Sequence, residues 1–330
     1  MAQHSAPATI LVTHHQLSDD AKSLMNDSGV KAVYLSPPIT EDLLIETINR
    51  EQVGGVLMRL SPPFTQRVLD ATPTLKIIAK HGAGVDSVDL EVATAKRIAV
   101  LTAGGANADS VAESAVAMMM SLARDLPVLD RSIRRGEWLK GTYQGSEFRG
   151  RKLGIVGYGA IGSRVAASAG ALGARVIAYA RTERAAIPGV QWEADLDRLL
   201  SEVDILSLHC PLNDKTRGLI GTRELGLMKK GAILINTARG AVVDEVALID
   251  ALRSGKLGGA GLDTFTEEPT DPKNPLFAFE NVILTPHVAA MTEQALTRMG
   301  TVAAQQIIDC LVRGDLDKPN LANPEVAARL

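Results

Sequence analysis

Leu153-Gly154-Ile155-Val156-Gly157-Tyr158-Gly159-Ala160-Ile161-Gly162 is the stretch on which the fold turns. An apolar run, Lys152 to Val156, leads straight into Gly-x-Gly-x-x-Gly, and helix-forming residues follow. In a strand-turn-helix unit the first glycine permits the tight turn and the second lets backbone approach a pyrophosphate. The third lets the helix pack close on the strand. Amides at the helix N-terminus then face phosphate. Gly157, Gly159 and Gly162, with Ala160 and Ile161 between them, therefore read as the phosphate turn of a dinucleotide-binding unit.

Apolar runs recur on both sides of that turn. Downstream they are Arg175 to Ala180, Val203 to Leu208, Ala232 to Asn236, Gly261 to Asp263 and Val282 to Leu284. Upstream they are Thr9 to Val12, Ala32 to Tyr34, Val56 to Met58, Ile77 to Ala79 and Ile98 to Leu101. Continuous rather than alternating apolar runs mark strands buried on both faces, as in parallel sheets covered by helices. The expectation is an α/β protein with two doubly wound parallel sheets. A helix from about Ala108 to Arg124 separates them, followed by a polar connector with Arg131, Arg134, Arg135 and Gly136. A terminal helix over Thr292 to Val312 has no strand of its own and is expected to pack on the first domain, with a frayed tail containing Pro319 and Pro324.

With 330 residues, 46% hydrophobic and 22% charged, the chain has the length and composition for two compact cores. A formal charge of −3 gives no basic footprint for nucleic acid. The apolar stretch Val111 to Ala123 is too short for a bilayer span and reads as a buried helix, so no membrane partner is expected. Cys210 and Cys310 form neither a disulfide framework nor a metal cluster, and both read as small buried residues in a reducing compartment. With so few cysteines no metal is expected, and because Met1 to Pro7 lacks a basic segment leading into an apolar one, the expected location is cytoplasmic.

The strand Arg175 to Ala180 should end at the acid that holds the ribose hydroxyls in NAD enzymes, yet the residue there is Ala180, followed by Arg181, Thr182 and Arg184. A carboxylate repels a 2′-phosphate and a guanidinium grips it, so NADP is expected in preference to NAD. Glu183 counts the other way. Strand ends also place Arg239, the carboxylates Glu267 and Glu268, and His287 where open α/β sheets bind ligands. Reduction of a 2-oxo acid needs a cation for the carboxylate and carbonyl, and an acid for the developing alkoxide. Arg239 suits the first role, and His287 with Glu268 the second.

These residues, together with His209-Cys210-Pro211-Leu212, Asn236-Thr237-Ala238-Arg239-Gly240, Glu268-Pro269, Thr285-Pro286-His287, Lys80-His81-Gly82-Ala83-Gly84-Val85-Asp86 and Asn107-Ala108-Asp109-Ser110-Val111-Ala112-Glu113, resemble the D-isomer-specific 2-hydroxyacid dehydrogenases across nearly the whole chain. The resemblance implies a Rossmann dinucleotide domain, residues 104–290, inserted into a flavodoxin-like substrate domain, residues 1–103 plus 291–330. It implies Arg239, Glu268 and His287 as the catalytic set. Cofactor contacts are implied for His209, Pro211, Thr237 and Asp263, the last near the nicotinamide carboxamide. Substrate contacts are implied for His81, Gly82, Ala83 and Gly84, and the assembly implied is a homodimer, with Trp138 packing internally or reaching a neighbouring subunit.

Ala180 resembles the NADP-preferring glyoxylate and hydroxypyruvate reductases within that group, so hydroxypyruvate or glyoxylate is the expected substrate. Two further readings stand beside it: a 3-phosphoglycerate dehydrogenase-like enzyme, and a dinucleotide-sensing protein like the co-repressors built on related folds. Turnover of a 2-oxo acid separates the enzymes from the sensor.

Overall fold

A computed structural model describes residues 8–14, 16–59, 61–182 and 184–328. The described residues fall into two compact units, within Met1–Asn107 plus Met291–Leu330 and within Ala108–Ala290.

The first unit is built from β1 (Thr9–Val12), α1 (Asp19–Asp27), β2 (Lys31–Tyr34), α2 (Glu41–Arg50), β3 (Gly55–Met58), α3 (Gln66–Asp70), β4 (Ile77–Lys80), α4 (Leu90–Ala95) and β5 (Ala99–Leu101). All strand pairs are parallel and the order is β2-β1-β3-β4-β5, the flavodoxin-like winding. Ser18, Thr40 and Asp89 cap α1, α2 and α4 by accepting backbone amides, which satisfies donors the helix cannot.

The second unit runs α5 (Ala108–Ala123), α6 (Leu126–Arg134), β6 (Lys152–Val156), α7 (Ala160–Ala171), β7 (Arg175–Tyr179), β8 (Val190–Glu193), α8 (Leu196–Glu202), β9 (Ile205–Leu208), α9 (Thr222–Leu227), β10 (Ala232–Asn236), α10 (Glu245–Arg253), β11 (Leu257–Leu262) and β12 (Val282–Leu284). Its sheet is parallel in the order β12-β11-β10-β9-β6-β7-β8. The order reverses at β6, and the switch point between β6 and β9 opens a crevice at the carboxyl edge. Helix α5 is buried along most of its length against α7, β10 and β11. Helix α11 (Glu293–Ile308) then returns to the first unit, where Met299, Ala303, Ala304 and Ile307 are buried beside α1, β3 and β4.

Four expectations need correction. Arg131 and Arg134 lie in α6, not in a connector; Leu126, Leu129 and Ile133 recur on one side of it at helical spacing. Edge strand β8 was not anticipated, because Gln191 and Glu193 break the apolar run. The tail does not fray as expected: Val326 is fully buried, Leu321 bridges Leu101, and the buried Asn323 side chain accepts from the Val100 amide and donates to the Ile98 carbonyl, each at 2.9 Å. Cys210 is buried, whereas Cys310 is only half-buried. Among the described residues no helix is long and apolar enough to cross a membrane.

Candidate active site

Parallel register brings the strand ends of the second unit level with one another. Val156 pairs with Leu208, Leu208 with Asn236, Asn236 with Leu262 and Leu262 with Leu284. The next residues along each strand therefore open on one edge: Gly157, His209, Thr237, Asp263 and Thr285. A sheet that is buried on both faces leaves this edge as the place where its side chains meet a ligand.

Gly157 has φ +100°, and a Cβ there would lie 2.5 Å from the Cys210 nitrogen and from the His209 carbonyl carbon. A Cβ on Gly162 would lie 2.2 Å from the Gly157 oxygen. Close backbone approach at both points leaves room only for glycine. Gly159, by contrast, caps α7 with nothing within 4 Å of its would-be Cβ, so the helix N-terminus faces open space; Ala160 is exposed and Ile161 half-buried.

The His209 amide donates to the Val156 carbonyl at 2.8 Å, and its Nε2 lies 2.8 Å from Ser207 Oγ. Its Nδ1 is buried with no hydrogen-bond partner among the described residues, and burial holds its pKa down to about 4, so the ring is neutral. Thr237 Oγ1 and Thr264 Oγ1 are likewise buried and unpartnered. Buried polar atoms normally find partners, so three orphans at adjacent strand ends mark a place for a polar ligand. Together with the glycine turn they fit a dinucleotide. Pro211 is exposed, with its carbonyl accepting from Thr216 Oγ1 at 2.6 Å.

At the end of β7 the Ala180 amide donates to the Glu193 carbonyl at 2.9 Å. Arg181, Thr182 and Arg184 follow with exposed side chains, and Glu183 lies outside the described residues.

The titratable groups gather at β10, β11 and β12. Asn236 shapes the loop after β10, donating to the Arg239 carbonyl at 2.8 Å and accepting from the Ala238 amide at 3.0 Å. Arg239 is half-buried and donates to the Ala238 carbonyl at 2.7 Å. Gly240 comes so close to the loop after β11 that a Cβ would sit 1.9 Å from the Phe265 carbonyl carbon. The Phe265 amide in turn donates to Glu268 Oε1 at 2.9 Å, and Glu268 Oε2 lies 2.7 Å from His287 Nδ1. Glu268, not its neighbour Glu267, is thus the histidine's partner.

Hydrogen bonding to Glu268 raises the His287 imidazole above its ordinary pKa, against burial and the charge of Arg239. Burial acts to raise Glu268, but its bonds to His287 and the Phe265 amide outweigh this and leave the carboxyl below its usual range. The pair is therefore stabilised as imidazolium and carboxylate, within the field of Arg239. Asp263, 1% exposed, accepts from Thr285 Oγ1 at 2.6 Å and from the Val288 and Ala289 amides at 2.8 and 2.9 Å.

His81, Gly82, Ala83 and Gly84 follow β4 in the first unit. His81 is buried; its amide donates to the Met58 carbonyl at 3.0 Å, and its Nδ1 has no partner among the described residues. Burial, reinforced by the charge of Arg59, lowers its pKa to about 4. The Gly82 carbonyl accepts from the Ala103 amide at 2.9 Å. Among the described residues, no group of three or more His, Cys, Asp or Glu is placed to hold a metal ion.

The family model "D-isomer specific 2-hydroxyacid dehydrogenase, NAD binding domain" matches residues 116–289. The chain belongs to the D-isomer-specific 2-hydroxyacid dehydrogenases. As a member of that family it is 43% identical over 300 residues to a glyoxylate reductase of Aeropyrum pernix, covering 88% of each chain. It is 40% identical over 321 residues to a D-3-phosphoglycerate dehydrogenase of Methanocaldococcus jannaschii, covering 96% of this chain but spanning only 60% of that relative's length. Among solved structures it superposes with a TM-score of 0.82 on the NADPH-dependent glyoxylate/hydroxypyruvate reductase of Sinorhizobium meliloti in complex with NADP and malonate, at 27% identity, covering 97% of this chain and 98% of the other.

Within this 2-hydroxyacid dehydrogenase the structure brings Arg239, Glu268 and His287 together at one sheet edge, with Asp263 behind them. Thr264, Ser207 and the hydroxyl of Thr285 were not singled out from the sequence. Threonine and serine carry no signal until the strand register shows which of them end at the edge.

Proposed function

We propose that this chain is a reductase of small 2-oxo acids that forms D-2-hydroxy acids, prefers NADPH to NADH, and takes hydroxypyruvate or glyoxylate. The observation that carries this reading is the Glu268–His287 pair beside Arg239, at the same sheet edge as the glycine turn.

A bound reduced dinucleotide supplies the hydride. Gly157, Gly159 and the first turn of α7, with His209, Pro211 and Thr237, would hold it, and Asp263 retains acceptor capacity for a carboxamide. Arg239 has the planar fork that holds a carboxylate and polarises the adjacent carbonyl. His287, kept protonated by Glu268, gives its proton to the developing alkoxide, a contribution of about 10²–10⁴-fold. The first unit, taken as residues 1–103 plus 291–330, is assigned the substrate contacts of His81 to Gly84, and residues 104–290 the dinucleotide.

The NADPH preference is supported by Ala180 in place of an acid and by the exposed Arg181 and Arg184. A homodimer is supported by Leu126, Ile133 and Trp138, which are 51, 56 and 77% exposed around α6 and unburied within this chain.

A phosphorylated three-carbon 2-oxo acid is the second reading. The Methanocaldococcus jannaschii relative favours it, as does the charge of Arg59 close to His81 at the carboxyl edge of the first sheet. A panel of 2-oxo acids with NADPH and NADH, followed by nicotinamide absorbance, tests both. Fastest turnover of hydroxypyruvate or glyoxylate with NADPH is expected. Preference for the phosphorylated acid selects the second reading, and no turnover at all overturns both in favour of a dinucleotide sensor.

A further inference from the structure

We propose that Asp263 is a positioning residue, whose carboxylate holds the loop from Thr285 to Ala289 so that His287 meets Glu268. Asp263 follows β11 and is fixed there by its own amide, which donates to the Asn236 carbonyl at 3.0 Å. Its side chain spans to the loop after β12: Oδ1 accepts from Thr285 Oγ1 and the Val288 amide, and Oδ2 from the Ala289 amide. These donors flank His287 on both sides. A carboxylate has about four acceptor sites, so this one loop takes three of them.

The loop needs such a hold. His287 has φ +54°, a left-handed conformation that a non-glycine residue keeps only where its surroundings over-determine it. Its amide also donates to the Thr285 carbonyl at 3.0 Å, closing a tight turn that Asp263 grips from beneath. Ser110 on α5 donates to the Ala289 carbonyl at 2.6 Å and ties down the far end. A charged carboxylate that is 1% exposed requires such donors, and this loop provides them. The groups acting on the imidazole are Glu268, Arg239 and Asp263 itself. Substituting Thr285 alters the hold while leaving all three charges in place.

The kinetic part of this proposal rests on the reductase reading; the rest does not. The test uses the full chain and three variants, Asp263→Asn, Thr285→Val and Thr285→Ser. In the cofactor-free protein, amide exchange at Val288 and Ala289 and the NMR titration of the His287 imidazole are measured; the dissociation constant for the cofactor and kcat at saturating cofactor are then measured. Asp263→Asn keeps one acceptor oxygen and turns the other into a donor, so it is expected to open at least one of the two amides to exchange and to lower kcat on the order of 10²-fold, the cost of roughly 1 Å of misplacement. Thr285→Val should lower the His287 midpoint and kcat, with Thr285→Ser restoring both. If Thr285→Val titrates and exchanges like wild type, or if Asp263→Asn weakens cofactor binding alone, the proposal is overturned. Should Asp263→Asn fail to fold, the two Thr285 variants decide. If wild type turns over no 2-oxo acid, the reductase reading fails while exchange and titration still judge the clamp.

Discussion

His287 Nδ1 and Glu268 Oε2 stand 2.7 Å apart, and the bond raises the histidine's pKa while the carboxyl lies below its usual range. An acid that must donate a proton has to be protonated, so reduction should fall as pH rises through the raised pKa of His287. Glu268→Gln removes the charge and keeps the shape. The fall should then move to lower pH, which a pH–rate profile of 2-oxo acid reduction reads directly. An unchanged midpoint contradicts this assignment of the pair.

Cofactor choice should follow the loop after β7. Arg181→Ala is expected to weaken NADPH without affecting NADH; loss of one charge-assisted bond, about 1.5 kcal/mol, corresponds to roughly tenfold in KM. Ala180→Asp should move preference toward NADH by repelling the 2′-phosphate. A wild type that already prefers NADH contradicts the reading.

Much of this was legible in the sequence, and each feature that was not has its own physical cause. Buried strands such as Val56 to Met58 appear as unbroken apolar runs because both their faces are covered, and the glycine turn appears because backbone contact at Gly157 and Gly162 excludes a side chain. Glu268 and His287 stand out as ionisable residues at strand ends. The edge strand β8 has polar residues on its open side, and α6 hides its apolar stripe among arginines. The tail is tied down in part by Asn323, which bonds to β5 and its approach, 223 and 225 residues away in sequence. The hold of Asp263 on the loop 25 and 26 residues later works through backbone amides, which every residue type except proline carries.

Gly240 should tolerate no side chain. A methyl group would collide with the Phe265 carbonyl carbon and push away the segment whose amide holds Glu268. Gly240→Ala is expected to destabilise the protein by about 1–3 kcal/mol, measured by urea unfolding, and to lower kcat as well. Wild-type stability and rate together would count against the close approach.

Arg239→Lys keeps the charge and loses the fork. An ammonium cannot grip carboxylate and carbonyl together, so KM for the 2-oxo acid should rise and kcat should fall. A rise in KM alone would confine Arg239 to substrate binding.

The central claim is that His287 delivers the proton, and His287→Asn tests it most directly. At saturating NADPH, with hydroxypyruvate and with glyoxylate, kcat should drop by about 10²–10⁴-fold while the dissociation constant for the cofactor stays that of wild type. A variant that reduces both acids as fast as wild type would contradict the account.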